Sequence, residues 1–203
     1  METSNAVPNR KPGKIILIIG AMMSGKSSEG FHILETVGYA VRGLYVNSSF
    51  DIRSETSFST HNTTLDISAL RNLNADMVKV GSLSEISDEQ ASKYEVVVLD
   101  ESQFYPDLPE VVTRWVENLG IDVYVLGLSG DYKRKNFGRI HELLALADDV
   151  KMLRDTLCEV CALKKIRTPA LFTHRREDLS REQVEVGSSN YMPVCRGCYV
   201  ELN

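Results

Sequence analysis

The chain has 203 residues, 43% of them hydrophobic and 25% charged, with a formal net charge of −5 at pH 7. That is enough for one ordinary domain with its own core plus a small appendage. The acidic balance argues against a general binder of nucleic acid or of a membrane surface, and the longest apolar stretch, Ile15 to Met23, is too short to cross a bilayer.

In chain order, the first thirteen residues are polar and proline-bearing and read as a loose tail. Nothing before Ile15 resembles a cleavage site, so the expectation is a cytoplasmic protein. Ile15 to Ile19 reads as a buried strand. It leads directly into GAMMSGKS, Gly20 to Ser27, the spacing G-x-x-x-x-G-K-S. A loop of this form wraps backbone N–H groups around a polyphosphate, its lysine reaches the outer phosphates, and its hydroxyl serves Mg²⁺. Phe31, Ile33, Leu34, Val37 and Val41 then recur at helical spacing, giving the strand–loop–helix context that the motif needs. Gly20 to Ser27 is therefore read as a nucleoside triphosphate site.

Gly43 to Asn47 is a second strand, Asp51 to Thr64 a polar loop, and the mixed stretch Leu83 to Tyr94 is expected to be helical. Val96 to Leu99 is a fully apolar strand ending on Asp100 and Glu101. An acid at the end of a strand beside a phosphate loop can hold Mg²⁺, and a carboxylate one residue later can take a proton from an attacking hydroxyl. Asp100 is assigned the metal and Glu101 the base. Leu108, Val111, Val112, Trp115, Val116 and Leu119 form one face of a helix. Asp122 to Leu128 is another strand, and Ile140, Leu143, Leu144 and Ala147 mark a further helix. DYKRKNFGR, Asp131 to Arg139, mixes basic and aromatic residues that could serve phosphate and base or simply form a solvated face. Strands alternating with helices predict an α/β fold with a parallel sheet flanked by helices.

From about Leu153 the chain becomes polar and strand-poor, and all four cysteines lie here, in CEVC (Cys158, Cys161) and CRGC (Cys195, Cys198). Two C-x-x-C pairs have the form of a four-thiolate zinc site. Disulfides, with three possible pairings, and a redox dithiol are the alternatives, which a reducing compartment disfavours. The expected division is a tail over 1–13, a phosphate-loop domain over 14–153 and a small zinc-bound unit over 154–203.

Taken together, GAMMSGKS, the D-x-R of Asp51 and Arg53 followed by STHN, LDESQFYPDL, LSGDYKRKNFG and the two cysteine pairs resemble the cytosolic-type (type II) thymidine kinases in order and spacing. The resemblance runs from Lys14 to Tyr199. It implies a phosphate-loop α/β domain with a small zinc-bound domain whose lasso-like loop closes over the nucleoside. The activity it implies is transfer of the γ-phosphoryl of ATP to the 5′-hydroxyl of thymidine, with magnesium.

By this resemblance Gly20, Met23, Ser24, Gly25, Lys26, Ser27, Asp51, Arg53, Asp100 and Gln103 would hold ATP and its metal, and Glu101 would be the base. Met22, Phe104, Leu128, Tyr132, Phe137 and Thr173 would line the thymine pocket, while Val184, Val186 and Gly187 would offer lasso backbone groups beside Tyr191. The resemblance also implies a homotetramer and feedback inhibition by thymidine triphosphate. Ala21, Met23, Ser102, Ser129, Tyr132 and Asn136 depart from the family's usual residues without removing a group that the chemistry needs. Extra residues after Cys161 shift the register near the lasso and make Thr168 the competitor of Thr173.

Two other classes fit parts of the pattern. A nucleotide switch or motor with a zinc-ribbon module would use water as its nucleophile, and a zinc-stapled binding module would carry a degenerate phosphate loop. Intact Lys26, Ser27 and Asp100 weigh against the latter, and the absence of an NKxD motif weighs against a GTPase.

Overall fold

A computed structural model of the chain describes residues 11–50, 74–176 and 190–203. Its sheet is built from six parallel strands among the described residues: β1 (Ile15–Gly20), β2 (Gly43–Ser48), β3 (Ala75–Val80), β4 (Val96–Leu99), β5 (Asp122–Leu128) and β6 (Asp149–Leu153), in the order β3-β2-β4-β5-β1-β6. The apolar runs of β1 and β4 are continuous because both of their faces are covered. On one face Leu17, Ile19, Val97 and Leu99 pack with Val111, Val112 and Trp115 of helix α3 (Leu108–Leu119). On the other, Ile18 and Val98 pack with Phe31 and Leu34 of helix α1 (Lys26–Val37). Strand alternation thus sorts neighbouring residues between two cores, and each fully buried aliphatic side chain contributes about 1.5–3 kcal/mol. The sheet flanked by helices is the α/β fold expected from the sequence.

Two helical expectations resolve differently. Leu83 to Tyr94 forms a 3-10 turn, Leu83–Glu85, and a short helix α2, Asp88–Ala91. The apolar set from Ile140 forms a 3-10 helix, Ile140–Ala145, rather than an α-helix. The three-residue repeat decides it: Ile140 and Leu143 are buried, whereas Leu144, the next α-helical position, is exposed. The edge strands β3 and β6 escaped the sequence reading. Apart from their last residues, buried Val80 and Leu153, they are half-exposed or exposed, so they lack the apolar runs of the central strands.

Beyond β6 lie a short helix α4 (Glu159–Leu163), an antiparallel pair β7 (Phe172–Arg175) and β8 (Tyr191–Val194), and a terminal helix α5 (Arg196–Leu202). Cys158, Cys198, Val194 and Tyr199 form the centre of their small core.

Candidate active site and cysteine cluster

The carboxyl ends of β1, β4 and β5 bring the phosphate loop, Asp100, Glu101 and Leu128 to one edge of the sheet, where open parallel sheets place their ligands. β1 ends at Gly20, the loop follows, and α1 starts at Lys26 with Gly25 as its N-cap. Gly25 has φ 86°, a left-handed conformation that an L side chain enters only at a cost. The loop therefore turns its backbone toward the start of α1, whose unpaired N–H groups and dipole favour an anion. Lys26 is buried, and its Nζ donates to the carbonyl of Ala21 at 2.8 Å, so the ammonium lies across its own loop. Ser24 is buried with a hydroxyl that has no partner among the described residues, while Met23 is partly exposed at φ 62°.

At the end of β4, Asp100 is buried. Its Oδ2 accepts the Tyr45 hydroxyl at 2.6 Å, its Oδ1 accepts the Glu101 N–H at 2.9 Å, and the Ser27 hydroxyl bonds it as well. Burial, and then the charge of Glu101, raise the Asp100 carboxyl above its ordinary range against these hydrogen bonds. Burial beside Asp100 likewise pushes the Tyr45 hydroxyl well above its usual value, so Tyr45 remains a donor. Ser27, Asp100 and Glu101 thus meet at one point: a hydroxyl and an acid suited to a hard cation, with a second acid beside them.

Glu101 has φ 49° and ψ 42°, a left-handed conformation that costs a non-glycine residue about 1–3 kcal/mol and is characteristic of functional turns. Its Oε2 accepts Gln103 Nε2 at 2.6 Å. Buried Gln103 also accepts the Leu128 N–H through Oε1 at 3.2 Å, tying the turn after β4 to the end of β5. A Cβ at Gly138 (φ 60°) would run into the Gln103 backbone, so only glycine lets that loop approach. Gln103, expected from the resemblance to serve ATP, thus bonds both the Glu101 carboxylate and the Leu128 N–H.

Phe104 meets Phe137 edge-to-face at 5.6 Å. Tyr132 is buried, with the Arg175 guanidinium 4.9 Å from its ring centroid, and the same guanidinium lies 5.9 Å from the ring of Tyr191. Thr173 Oγ1 accepts the Met22 N–H at 3.0 Å, joining two residues 151 positions apart. Thr168 lies elsewhere: its carbonyl accepts the Cys158 N–H at 2.7 Å, and it bonds the Cys161 thiol. Asp51, Arg53, Val184, Val186 and Gly187 lie outside the described residues. Tyr45, Arg175 and Tyr199 were missed in the sequence, where each reads as ordinary strand or helix filling.

The four cysteine sulfurs lie within 4.8 Å of one another. Cys161 Sγ is 3.9 Å from Cys195 Sγ and 3.6 Å from Cys198 Sγ, and all four cysteines are free thiols. Four sulfurs at about 2.3 Å from a tetrahedral zinc stand about 3.8 Å apart, so the set fits that ion and is too open for disulfides. Burial opposes ionisation of Cys158, but hydrogen bonds at Cys195 and Cys161 outweigh it and bring its thiol down to about 7.

The thymidine kinase family model matches residues 13–199. The chain is 32% identical over 194 residues to a rice thymidine kinase, covering 94% of this chain and 67% of that protein. It is 34% identical over 188 residues to the thymidine kinase of myxoma virus (strain Uriarra), covering 92% and 96%. Human cytosolic thymidine kinase is 32% identical over 195 residues, covering 95% and 75%. The chain belongs to the thymidine kinase family.

Proposed function

We propose that the chain transfers the γ-phosphoryl of MgATP to the 5′-hydroxyl of thymidine, giving thymidine monophosphate and ADP in nucleotide salvage, and uses deoxyuridine more weakly. The reading rests on one juxtaposition: the Lys26–Ser27 phosphate loop meets buried Asp100 with Glu101 beside it.

Lys26 and the amides of Gly20 to Ser27 grip the phosphates and neutralise charge on the moving phosphoryl group. Ser27 and Asp100 would hold magnesium, which would supply charge compensation to the phosphates. Glu101 accepts the 5′-hydroxyl proton as the 5′-oxygen bonds to the γ-phosphorus and the bond to the bridging β–γ oxygen breaks. ADP leaves with that electron pair. Gln103 keeps Glu101 aimed through the 2.6 Å hydrogen bond. Asp51 and Arg53 are assigned to the reacting phosphate and sugar.

Met22, Phe104, Leu128, Tyr132, Phe137 and Thr173 are assigned to the thymine pocket, Val184, Val186 and Gly187 to lasso backbone contacts with the nucleoside, and Tyr191 to packing nearby. Backbone reading of the base favours the acceptor–donor–acceptor edge of thymine, and cytosine would leave desolvated polar groups unpaired. Cys158, Cys161, Cys195 and Cys198 would hold zinc, whose role is to clamp the base of the 154–203 unit to itself while 14–153 forms the phosphate-loop domain. The homotetramer that the family resemblance implies would bury the apolar surface of Val150 and Met152 on the edge strand β6 and Leu144 and Leu146 before it, all exposed in the single chain. Feedback inhibition by thymidine triphosphate is part of the same reading, as the family resemblance implies. The cytoplasm is the assigned compartment, and among the described residues no helix is long and apolar enough to cross a membrane.

The test is ADP release with thymidine, deoxyuridine, deoxycytidine and purine nucleosides in turn. Release should follow thymidine first and deoxyuridine second, the missing methyl being worth about 1–3 kcal/mol. Deoxycytidine used as well as thymidine would overturn the base reading, and release without any nucleoside would indicate an ATPase.

A further inference from the structure

Tyr199 links the cysteine cluster to the loop after β5. It follows Cys198 directly and is buried, and its hydroxyl donates to the backbone carbonyl of Tyr132 at 2.7 Å. The Arg134 guanidinium caps its ring at 4.3 Å from the centroid and lies 5.5 Å from the ring of Phe172, which is itself 5.5 Å from Tyr199. Arg134 is held at φ 60°, a strained conformation that a neighbouring contact must help to maintain.

Within the loop, Asp131 closes the turn: its Oδ1 accepts the N–H groups of Lys133 and Lys135, and its carbonyl accepts the Arg134 N–H. These bonds shape the loop from within. At its far end Phe137 meets Phe104, while its near end is attached to the C-terminal segment, through Tyr199 on the Tyr132 carbonyl and Arg175 over the Tyr132 ring.

The other end of this linkage is the cysteine cluster. Cys195 is the N-cap of α5, its Sγ accepting the Cys198 N–H, and Tyr199 N–H donates to the Cys195 carbonyl. The first turn of α5 therefore carries two sulfurs of the cluster and, one residue on, the hydroxyl that holds Tyr132. Spreading the sulfurs would turn that helical end and move the hydroxyl.

We propose that Tyr199 is a positioning residue for nucleoside binding, transmitting the geometry of the four-cysteine cluster to the loop Asp131 to Phe137 and leaving the phosphate side untouched. The proposal rests on the reading of Tyr132 and Phe137 as nucleoside-pocket residues. It separates two tasks of the C-terminal segment. Thr173 touches the phosphate loop, while Tyr199 and Arg175 set the aromatic loop. A purely structural tyrosine would matter through its ring alone, and Tyr199→Phe keeps the ring and removes only the hydroxyl.

The experiment compares the full-length wild type, Tyr199→Phe and Phe137→Ala by steady-state kinetics, zinc content and amide hydrogen exchange of residues 131–137 without nucleoside. Tyr199→Phe is expected to raise the thymidine KM by about 2- to 12-fold, the range of one net hydrogen bond. Its kcat, ATP KM and zinc content should stay at wild-type values, and the loop amides should exchange faster. Unchanged loop exchange overturns the proposal whatever the kinetics. An unchanged thymidine KM in Tyr199→Phe, with a raised one in Phe137→Ala, overturns it while leaving the pocket reading intact. Faster loop exchange with unchanged thymidine KM in both variants overturns the pocket reading and the proposal with it.

Discussion

Thr173 accepts the backbone N–H of Met22 through its Oγ1 at 3.0 Å, so the hairpin next to the cysteine cluster is bonded directly to the phosphate loop. Thr173 is buried, and no water can replace that acceptor cheaply. Thr173→Val keeps the shape but strands the Met22 N–H, at a cost of about 1–3 kcal/mol. Thermal unfolding should show the loss, and Thr173→Ser should recover most of it. If valine and serine behave alike, the bond contributes nothing. Bulk tests the same residue from the substrate side: Thr173→Leu should harm thymidine more than deoxyuridine, whereas Thr168→Leu, beside Cys158, should not distinguish them.

Asp100 makes the opposite bargain between stability and function. Burial and then the charge of Glu101 raise its carboxyl, so the folded chain holds that proton better than the unfolded chain does. The sign follows from linkage: the favourable contribution is fully present below the ordinary carboxylate range and is lost as pH rises through the folded-state value. Asp100→Asn should therefore raise the Tm of the magnesium-free protein at neutral pH, with the gain vanishing in acid, while lowering kcat by roughly 10²–10³-fold. Calorimetry across pH checks the first half, and a lower Tm at neutral pH would show that the Tyr45 and Ser27 hydrogen bonds outweigh burial.

The cysteine cluster makes a compositional prediction. Protein purified from reduced cells should carry one zinc for the one cluster found among the described residues. Cys158→Ser should loosen the segment around β7 and β8 and raise the thymidine KM more than the ATP KM. Metal analysis with mass spectrometry decides it, and two disulfides without zinc would remove the metal from the structure's account.

The strand–loop–helix at Ile15 to Val37, the acid after β4 and the buried face of α3 were legible because each depends on local pattern alone: an apolar run, a fixed spacing, a helical repeat. What was not legible depends on reach across the fold. Tyr45 sits in a strand like any buried aromatic, stacked on Phe31 at 4.6 Å, and only the pairing of β2 with β4 brings its hydroxyl to Asp100. Tyr199 reads as one more apolar position of a short helix. The edge strand β6 was invisible because Val150 and Met152 are exposed in the single chain and alternate with Asp149 and Lys151. The choice between Thr168 and Thr173 was open in sequence because the residues after Cys161 shift the register. In the structure one contacts the cysteines and the other the phosphate loop.

The most direct test of the phosphoryl-transfer account is the rate of thymidine-dependent ADP release by Glu101→Gln, read beside equilibrium binding of thymidine and ATP. Glutamine keeps the size of Glu101 and its contact with Gln103 but cannot take a proton. Binding should survive while kcat falls by roughly 10²–10⁴-fold. A Glu101→Gln enzyme that retains near-normal kcat would contradict the assignment and move the base elsewhere, with Asp51 the next residue to test.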